Sequence, residues 1–485
     1  MAWLVAPVLL EQVLALAVGF TDKWLAGNLF TGSESLAAVG LAAYCLGFLP
    51  VLFAAPAVAA TALVARHVGA GDRAGARRAL AQCLAAGGVL AAAALALAAC
   101  CGPGAFAALG LPADSSALAR RYLAIVLPAL PAILVIHVGV AGLRGSGAMV
   151  SGLVAMTVVN LVNAGASYAL ATGLGGLPRL GWDGLAWGTV AGYTCGAGCV
   201  LALLLGDRGG LRPERADWRP RAEWLRRIVR IGLPAGVDGL ANAACHLTFL
   251  SVVNRLGNLD AAAHAVAITI ESLAFLPGSA LQVAAATLAG QYLGARDERR
   301  ARRSVWVAAL ACVGLMTCAA GLFLQFADGL AAWFTGGAGA QPDLAALTAR
   351  LVRIVAFAQP PLALLMVLSG GLRGAGATRP PLLVNFLGLI AIRLPLAAYL
   401  AWPADGSAGL PGCGLGAVGA WYAMTADLTV RGLAMLAVFA RLGWARLGVD
   451  PGVEPSADSA LRGDDATLSS RERPDDGGPA PAGAP

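Results

Sequence analysis

Long apolar blocks separated by short charged segments run along the whole chain. Five of these blocks contain no Asp, Glu, Lys or Arg: 35–65, 79–113, 145–178, 184–206 and 304–327. A helix needs about 20 such residues to cross a bilayer. A membrane β-barrel would instead alternate apolar and polar residues over segments of about ten positions. The pattern therefore predicts an all-α, polytopic membrane protein.

Twelve helices follow from these blocks and from the Pro and Gly residues between them. We place them near 2–27, 36–65, 79–101, 120–141, 149–173, 184–205, 229–253, 262–290, 304–327, 350–371, 381–402 and 415–440. The tail is rich in Asp, Ser, Gly and Pro, so it has too few apolar residues to form a core. The predicted domains are an N-terminal half (1–205), an Arg-rich linker (206–228), a C-terminal half (229–441) and a disordered tail (442–485).

Composition and charge support a membrane protein and exclude a nucleic-acid partner. Charged residues are 13% of the chain, whereas soluble domains have about 25%. The net charge of +7 comes from Arg residues in short loops, 25 on one side of the predicted membrane and seven basic residues on the other. Cytoplasmic loops carry such an excess. We expect a multi-pass protein of the inner (plasma) membrane with both termini and the linker in the cytoplasm.

Three sequence motifs occur twice, at nearly constant spacing. Phe48-Leu49-Pro50 returns 227 residues later, "ARHVGAGDRAGARRAL" from Ala65 returns as "GQYLGARDERRARRSV" from Gly290, and "GLRGSGA" from Gly142 returns as "GLRGAGA" from Gly371. Each copy falls at the same place in a group of six helices. Because six helices begin and end on one side, the two halves have the same orientation and are related by an axis along the membrane normal.

Acidic residues inside predicted membrane helices are the main candidates for function, because a charge there is costly. They are Glu11, Asp22, Asp238, Glu271 and Asp427. A Pro stands four residues before both Glu11 and Asp238, which permits the helix to bend beside a titratable group. Glu11 and Asp22 share one face of the first helix, about 16 Å apart. We interpret these acids as sites for a proton or cation.

Structural interpretations of the same acids stay open. Glu11 and Asp238 could remain hydrated near the membrane surface, and Asp22 could form an ion pair with Lys23. Asp427 and Arg431 lie four residues apart on the last helix, a spacing that favours a structural ion pair. Arg393 has no acid nearby in sequence, so it either reaches an acid of the C-terminal half or extends toward the surface.

Other polar residues give weaker signals. Asn160 and Asn163 lie three residues apart on the fifth helix, where amides either join helices or coordinate a cation. The four His residues and ten Cys residues show no metal-ligand spacing. We expect no metal and no cofactor, with H⁺ or Na⁺ as the coupling ion.

Three motifs make the chain resemble one transporter family. The first helix ends in "GFTDKWLAG", and "ESLAFLPGSALQVAAATLAGQYLGA" and the repeated "GLRG" motif follow later. With twelve helices in two parallel halves, this is similar to the multidrug and toxic compound extrusion (MATE) family. The resemblance implies two six-helix lobes in a V shape. It also implies antiport of small organic cations or drugs against H⁺ or Na⁺ by alternating access. We expect a monomer in the lipid bilayer.

The resemblance also assigns roles to particular residues. Asp22 matches the family's essential aspartate of the first helix, and Asn163 and Thr189 match its partners. Ser167 stands where many members have Asp or Asn, which removes a strong cation ligand. A proton needs only the Asp22 carboxylate, with Glu11 as a possible relay, so we predict H⁺ coupling.

The C-terminal half departs further from the family pattern. Asn242 and Leu362 occupy positions that are acidic in some members, and Asp238 could substitute for them. The candidates for the substrate cavity in this half are Asp238, Asn242, Glu271 and Gln359. The intact N-terminal set predicts that coupling resides in the first half.

Two other functions are alternatives to antiport. A lipid-linked oligosaccharide flippase of the same superfamily would need a cationic cavity, for which Arg393 and Arg431 are the candidates. An intramembrane lipid-phosphate transferase, an enzyme, would need clustered Asp residues to hold Mg²⁺. No loop carries such a cluster, and no GxxxxGK[ST] motif is present to hold ATP. We therefore predict a secondary antiporter and no enzymatic activity.

Overall fold

The computed structural model describes residues 2–29, 47, 50–108, 113–337, 341–405 and 411–444, and helices account for nearly all of them. We number the α-helices in chain order. They are α1 (Ala2–Leu29), α2 (Ala54–Gly69), α3 (Arg73–Ala108), α4 (Ala113–Val126), α5 (Leu130–Gly145), α6 (Val150–Thr172), α7 (Trp182–Leu205), α8 (Ala222–Asn254), α9 (Asn258–Gly294), α10 (Glu298–Phe334), α11 (Pro342–Ala356), α12 (Gln359–Gly374), α13 (Arg379–Leu387), α14 (Leu394–Ala401) and α15 (Gly416–Arg441).

The described residues contain ten segments long and apolar enough to cross a membrane, or eleven when the bent pair α11 and α12 is taken as one span. The predicted all-α membrane fold is confirmed, and this count is consistent with the predicted twelve helices. The first part of the predicted second helix lies outside the described residues, and α2, its described part, has 16 residues. The predicted disordered tail also lies outside them, apart from its first three residues.

Three of the predicted helices are interrupted, each for a local reason. A 3₁₀ turn at Leu127–Ala129 joins α4 to α5 beside Pro128. The axes of α11 and α12 differ by 54°, and Pro residues begin α12. A π-helical turn at Gly388–Arg393 joins α13 to α14. Proline removes a backbone donor, and π turns are frequent at functional sites.

The linker is shorter than we predicted, because α8 begins at Ala222 rather than near 229. Trp224 and Ile228 are buried at helical spacing, so the amphipathic pattern extends upstream of the apolar block. The rest of the linker is anchored to α3. Gln82 donates to the backbone carbonyls of Asp217 and Arg219 at 2.7 and 2.9 Å.

Buried apolar residues form two large clusters that follow the two halves of the chain. One cluster consists of residues between 249 and 444. The other consists of residues between 18 and 211, joined by Trp224, Ile228 and Ile231 of α8. The halves touch where α1 and α2 meet α8 and α9, as where Val8 packs with Ala280. The candidate site lies within the first half.

Candidate functional site

Asp22 is buried, with 3% of its surface exposed, and binds three neutral side chains. The Tyr122 hydroxyl donates to its Oδ2 at 2.8 Å, and the Thr189 hydroxyl donates to the same oxygen at 3.0 Å. The Asn163 amide donates to Oδ1 at 3.3 Å. The structure therefore brings the predicted residues Asp22, Asn163 and Thr189 into one hydrogen-bonded group.

Ser167 closes this group on the side of α6. Its Oγ lies 3.4 Å from Asn163 Nδ2 and donates to the Leu185 carbonyl at 3.3 Å. Asn163 Nδ2 also donates to Thr189 Oγ1 at 3.0 Å. Asn163, Ser167 and Thr189 are fully buried. Ser167 thus supports the group through Asn163 and does not bind Asp22.

Small residues explain why α6 and α7 can bring these side chains together. A Cβ on Gly188 would overlap the Ser167 hydroxyl and backbone, and one on Gly192 would lie 2.8 Å from the Val159 carbonyl oxygen. Without side chains at these positions, the two helix backbones approach closely, as small residues permit in membranes. Residues on α6 and α7 can therefore bond to one carboxylate on α1.

Tyr122 was missed by the sequence reasoning. It lies on α4 and is 1% exposed, with its ring packed edge-on against Trp182 at 6.3 Å. One signal was available, since it is the only Tyr in the apolar segment Ala117–Gly145. A buried Tyr hydroxyl in such a segment needs a hydrogen-bond partner.

No Lys or Arg binds Asp22 within the part of the chain that the structure describes. Lys23 is exposed, and adjacent residues on a helix do not face each other. The predicted alternative, an ion pair between Asp22 and Lys23, is therefore wrong. The buried Asn163 Oδ1 has no hydrogen-bond partner among the described residues. The group thus combines one negative charge with an unused amide oxygen.

Glu11 lies apart from this group and binds Arg144 in an ion pair. Glu11 is 7% exposed, so the alternative of a hydrated surface residue is wrong. Its Oε2 is buried next to Gly152 and has no hydrogen-bond partner in the described part of the chain. Asn160, also on α6, donates to the Leu14 carbonyl at 2.9 Å and so joins α6 to α1.

Asp238 is the counterpart of Glu11 in the second half. It is 2% exposed and binds Arg373, so a hydrated position is wrong here too. Asn385 donates to its Oδ1 at 2.9 Å, and Asn242 donates to the same oxygen at 3.2 Å. Asp238 and Asn242 therefore come together, but as parts of a saturated ion-pair network.

Asp427 is fully buried between two guanidinium groups. Arg431 donates to it at 2.6 and 2.9 Å, and Arg393 donates at 2.8 Å. Arg393 thus reaches an acid of its own half, from the end of the π turn. Arg431 also donates to Asn385 at 3.2 Å, which links this group to Asp238.

The structure does not bring the last two cavity candidates into either network. Gln359 is fully buried at the start of α12, and its amide donates to the Val355 carbonyl at 3.4 Å. Glu271 is half-buried on α9, within electrostatic range of Arg393, and no hydrogen bond ties it to the described residues. Neither residue forms a hydrogen bond or ion pair with Asp238 or Asn242.

The model of the MatE family matches residues 7–169 and 234–399. The chain belongs to the MatE family. The two matched segments correspond to the two halves of the chain, and the gap between them contains the linker. The family match therefore agrees with the internal repeat seen in the sequence.

MatE relatives align over nearly the whole chain. A probable multidrug resistance protein NorM from Thermotoga maritima is 26% identical, with 92% of this chain and 93% of the relative covered. Another probable NorM, from Burkholderia pseudomallei, is 31% identical at 92% and 93% coverage.

Solved MatE-like structures share the fold. A MATE protein in a bent conformation has a TM-score of 0.80 over 96% of both chains, at 21% identity. A MOP superfamily transporter from Pyrococcus furiosus has a TM-score of 0.79, covering 90% of this chain and 96% of its own, also at 21% identity.

Proposed function

We propose that this MatE protein is a multidrug exporter, a secondary antiporter that moves organic cations out of the cell in exchange for H⁺. Asp22 carries the coupling. The observation that supports this best is its environment, since the described residues that bind this buried carboxylate are all neutral donors. Such a group can gain and lose a proton or cation without breaking an ion pair. The NorM names of the relatives favour drugs as substrates.

Asn163 supports protonation, because its amide can serve both charge states of Asp22. As described, Nδ2 donates to the carboxylate. A half-turn of the amide would instead present Oδ1, which has no partner here, to the O–H of a protonated carboxyl. The site therefore needs little rearrangement when the proton arrives or leaves.

Na⁺ is the less favoured coupling ion. Oδ2 of Asp22 already accepts from the hydroxyl groups of Tyr122 and Thr189. A cation would have to displace these donors, and Ser167 offers only a hydroxyl that donates to a backbone carbonyl. Protonation of the Asp22 carboxylate displaces no hydroxyl donor and does not need Ser167 as a ligand.

The proposed orientation in the membrane follows from the charge asymmetry. We place the Arg-rich loops and both termini in the cytoplasm of a cell whose plasma membrane the protein spans. The halves join through α2 and α9, which finish at these Arg-rich loops. In this arrangement the two halves act as lobes that contact each other at the cytoplasmic end. We propose a monomer, because the site is complete within one chain.

The two alternative functions have less support. Both Arg393 and Arg431 donate to Asp427, so much of the positive charge that a flippase would offer to a pyrophosphate is already paired. For a metal-dependent enzyme, three or more acidic, His or Cys side chains should converge. No such group occurs among the described residues.

Uptake of ethidium, a permanently charged organic cation, into proteoliposomes tests the proposal. DNA enclosed in the liposomes reports ethidium entry, and H⁺ and Na⁺ gradients are imposed one at a time. We expect uptake with an acidic interior and no Na⁺, and none with Na⁺ alone. Uptake driven only by Na⁺ would overturn the choice of ion. If uptake is no faster than in protein-free liposomes with either gradient, the exporter proposal is overturned.

A further inference from the structure

The two copies of the GLRG motif make equivalent ion pairs in the two halves. In the first half Arg144 binds Glu11, and in the second half Arg373 binds Asp238. Each acid follows a Pro by four residues on the first helix of its half. Both halves therefore have an ion pair between their first helix and the helix that ends in the GLRG motif.

The backbone at the C-terminal ends of α5 and α12, where the GLRG motifs lie, receives hydrogen bonds from the opposite half. Gln291 on α9 donates to the Gly145 carbonyl at 2.9 Å, and Thr287 donates to the Arg144 carbonyl at 3.2 Å. In return, Arg66 on α2 donates to the Ala375 carbonyl at 3.3 Å. Arg66 and Gln291 occupy equivalent positions in the repeat, so these contacts are reciprocal.

Glycines make the closest approach between the halves, again reciprocally. A Cβ on Gly69 would overlap the carbonyl oxygen of Gln291, and a Cβ on Gly294 would overlap the carbonyl oxygen of Arg66. Gly69 and Gly294 are themselves equivalent in the repeat. The ends of α2 and α9 therefore contact each other backbone to backbone, with no side chain between them.

We propose that Arg144 and Arg373 are positioning residues of a two-part latch that holds the Arg-rich end of the molecule closed. Each Arg fixes the C-terminal end of its helix, α5 or α12, by binding the acid of its own half. The fixed helix end then presents carbonyl groups to the second helix of the other half. Loss of either Arg frees that end and weakens the contacts between the halves. This inference rests on the proposed transport function only in that it takes the Arg-rich end as the cytoplasmic gate of a transporter.

The two parts of the latch differ in how firmly they are held. Asp238 accepts from Arg373 and from two Asn side chains. Glu11 binds Arg144 alone, and its Oε2 has no partner among the described residues. Glu11 also lies on α1, about 16 Å from Asp22 along the same helix. The Glu11–Arg144 part is therefore the one that opens first, when α1 moves with the state of Asp22.

Amide hydrogen exchange of the purified full-length protein tests the latch without substrate or gradient. Segments 64–71 and 289–296 report the contact between α2 and α9. We expect Arg144→Gln to speed exchange about tenfold or more in both segments, including the one in the other half. Arg144→Lys, which keeps the charge, gives a smaller increase. The charge-swapped pair Glu11→Lys with Arg144→Glu restores slow exchange.

Arg300→Gln is the matched control, because Arg300 is an exposed Arg that pairs with Asp297 at 3.2 Å near the end of α9. We expect it to leave both segments unchanged. Exchange that rises only around 142–148 would overturn the latch and leave the ion pair as a brace within one half. Failure of the swapped pair to restore protection would also overturn it. Neither result depends on ethidium uptake, so a failed latch and a failed exporter proposal are distinguishable.

Discussion

Asp22 in the first half and the buried acids of the second half have opposite surroundings. In the first half Asp22 binds a Tyr, a Thr and an Asn, all neutral. In the second half Asp238 and Asp427 both bind Arg side chains. Offset by the 227 residues that separate Glu11 from Asp238, the equivalent of Asp22 is Phe249, a buried member of the apolar core.

This difference separates two uses of a charge inside a membrane protein. An acid that is paired with a buried Arg cannot lose its charge without leaving that Arg uncompensated, which destabilises the fold. An acid held by neutral donors can change its charge as the site dries and rewets. Both halves have an Arg-paired acid at the equivalent positions of Glu11 and Asp238. Asp22 of the first half has a neutral environment instead. We therefore expect substitution of Asp238 or Asp427 to change stability and substitution of Asp22 to change transport.

The largest effect should come from Asp427→Asn. The substitution leaves the buried Arg431 and the neighbouring Arg393 without their carboxylate, which costs about 3–5 kcal/mol of the free energy of unfolding. Thermal unfolding in detergent measures it. Asp328→Asn is the control, because Asp328 forms an exposed pair with Arg353 and should cost about 1 kcal/mol or less. Equal melting temperatures for the two variants would show that the buried Arg-paired acid matters no more for stability than an exposed one.

Asp22→Asn should leave stability almost unchanged and abolish transport. The amide still accepts from Tyr122 and Thr189, so the melting temperature should stay near that of the wild type. Coupled ethidium uptake should fall to the level of protein-free liposomes, because an amide cannot exchange a proton. Wild-type uptake by this variant under the same H⁺ gradient would show that Asp22 is structural.

Tyr122→Phe should reduce H⁺-driven uptake about tenfold, since one hydrogen bond to a charged group is lost while the ring keeps its place against Trp182. Tyr168→Phe, at an exposed position on α6, is the control and should leave uptake unchanged. Initial rates of ethidium uptake measure both. If Tyr122→Phe transports at the wild-type rate, its hydroxyl is not part of the coupling site.

The smallest effect is expected for Ser167→Ala. Its hydroxyl donates to the Leu185 carbonyl and lies 3.4 Å from Asn163, without touching Asp22. We expect uptake to change by less than about threefold. A complete loss of uptake would indicate that Ser167 is a direct ligand of the coupling ion, and would favour Na⁺.

The sequence predicted the fold well, because apolar blocks and internal repeats record the membrane and the two halves directly. It could not predict that Asp238 binds Arg373, or that Arg393 reaches Asp427, because these partners are 135 and 34 residues apart. Which of several Arg residues meets a given acid depends on how the helices pack.

The same limit applied within the candidate site. Asp22 and Asn163 could be found as polar residues inside predicted membrane helices, and Thr189 through resemblance to a family. Tyr122 carried no such motif, and its hydroxyl meets Asp22 only because α4 packs beside α7. The early start of α8 was missed for another reason, since its charged first turns interrupt the apolar block while Trp224 and Ile228 continue the helical spacing.

The most direct test of the central claim is proton release when the purified protein binds an organic cation. Tetraphenylphosphonium is suitable, because it carries a permanent charge and no titratable group. In weakly buffered detergent solution, we predict release of about one proton per bound cation from the wild-type protein and none from Asp22→Asn. Equal release from both proteins, or none from a wild type that binds the cation, would contradict the assignment of coupling to Asp22.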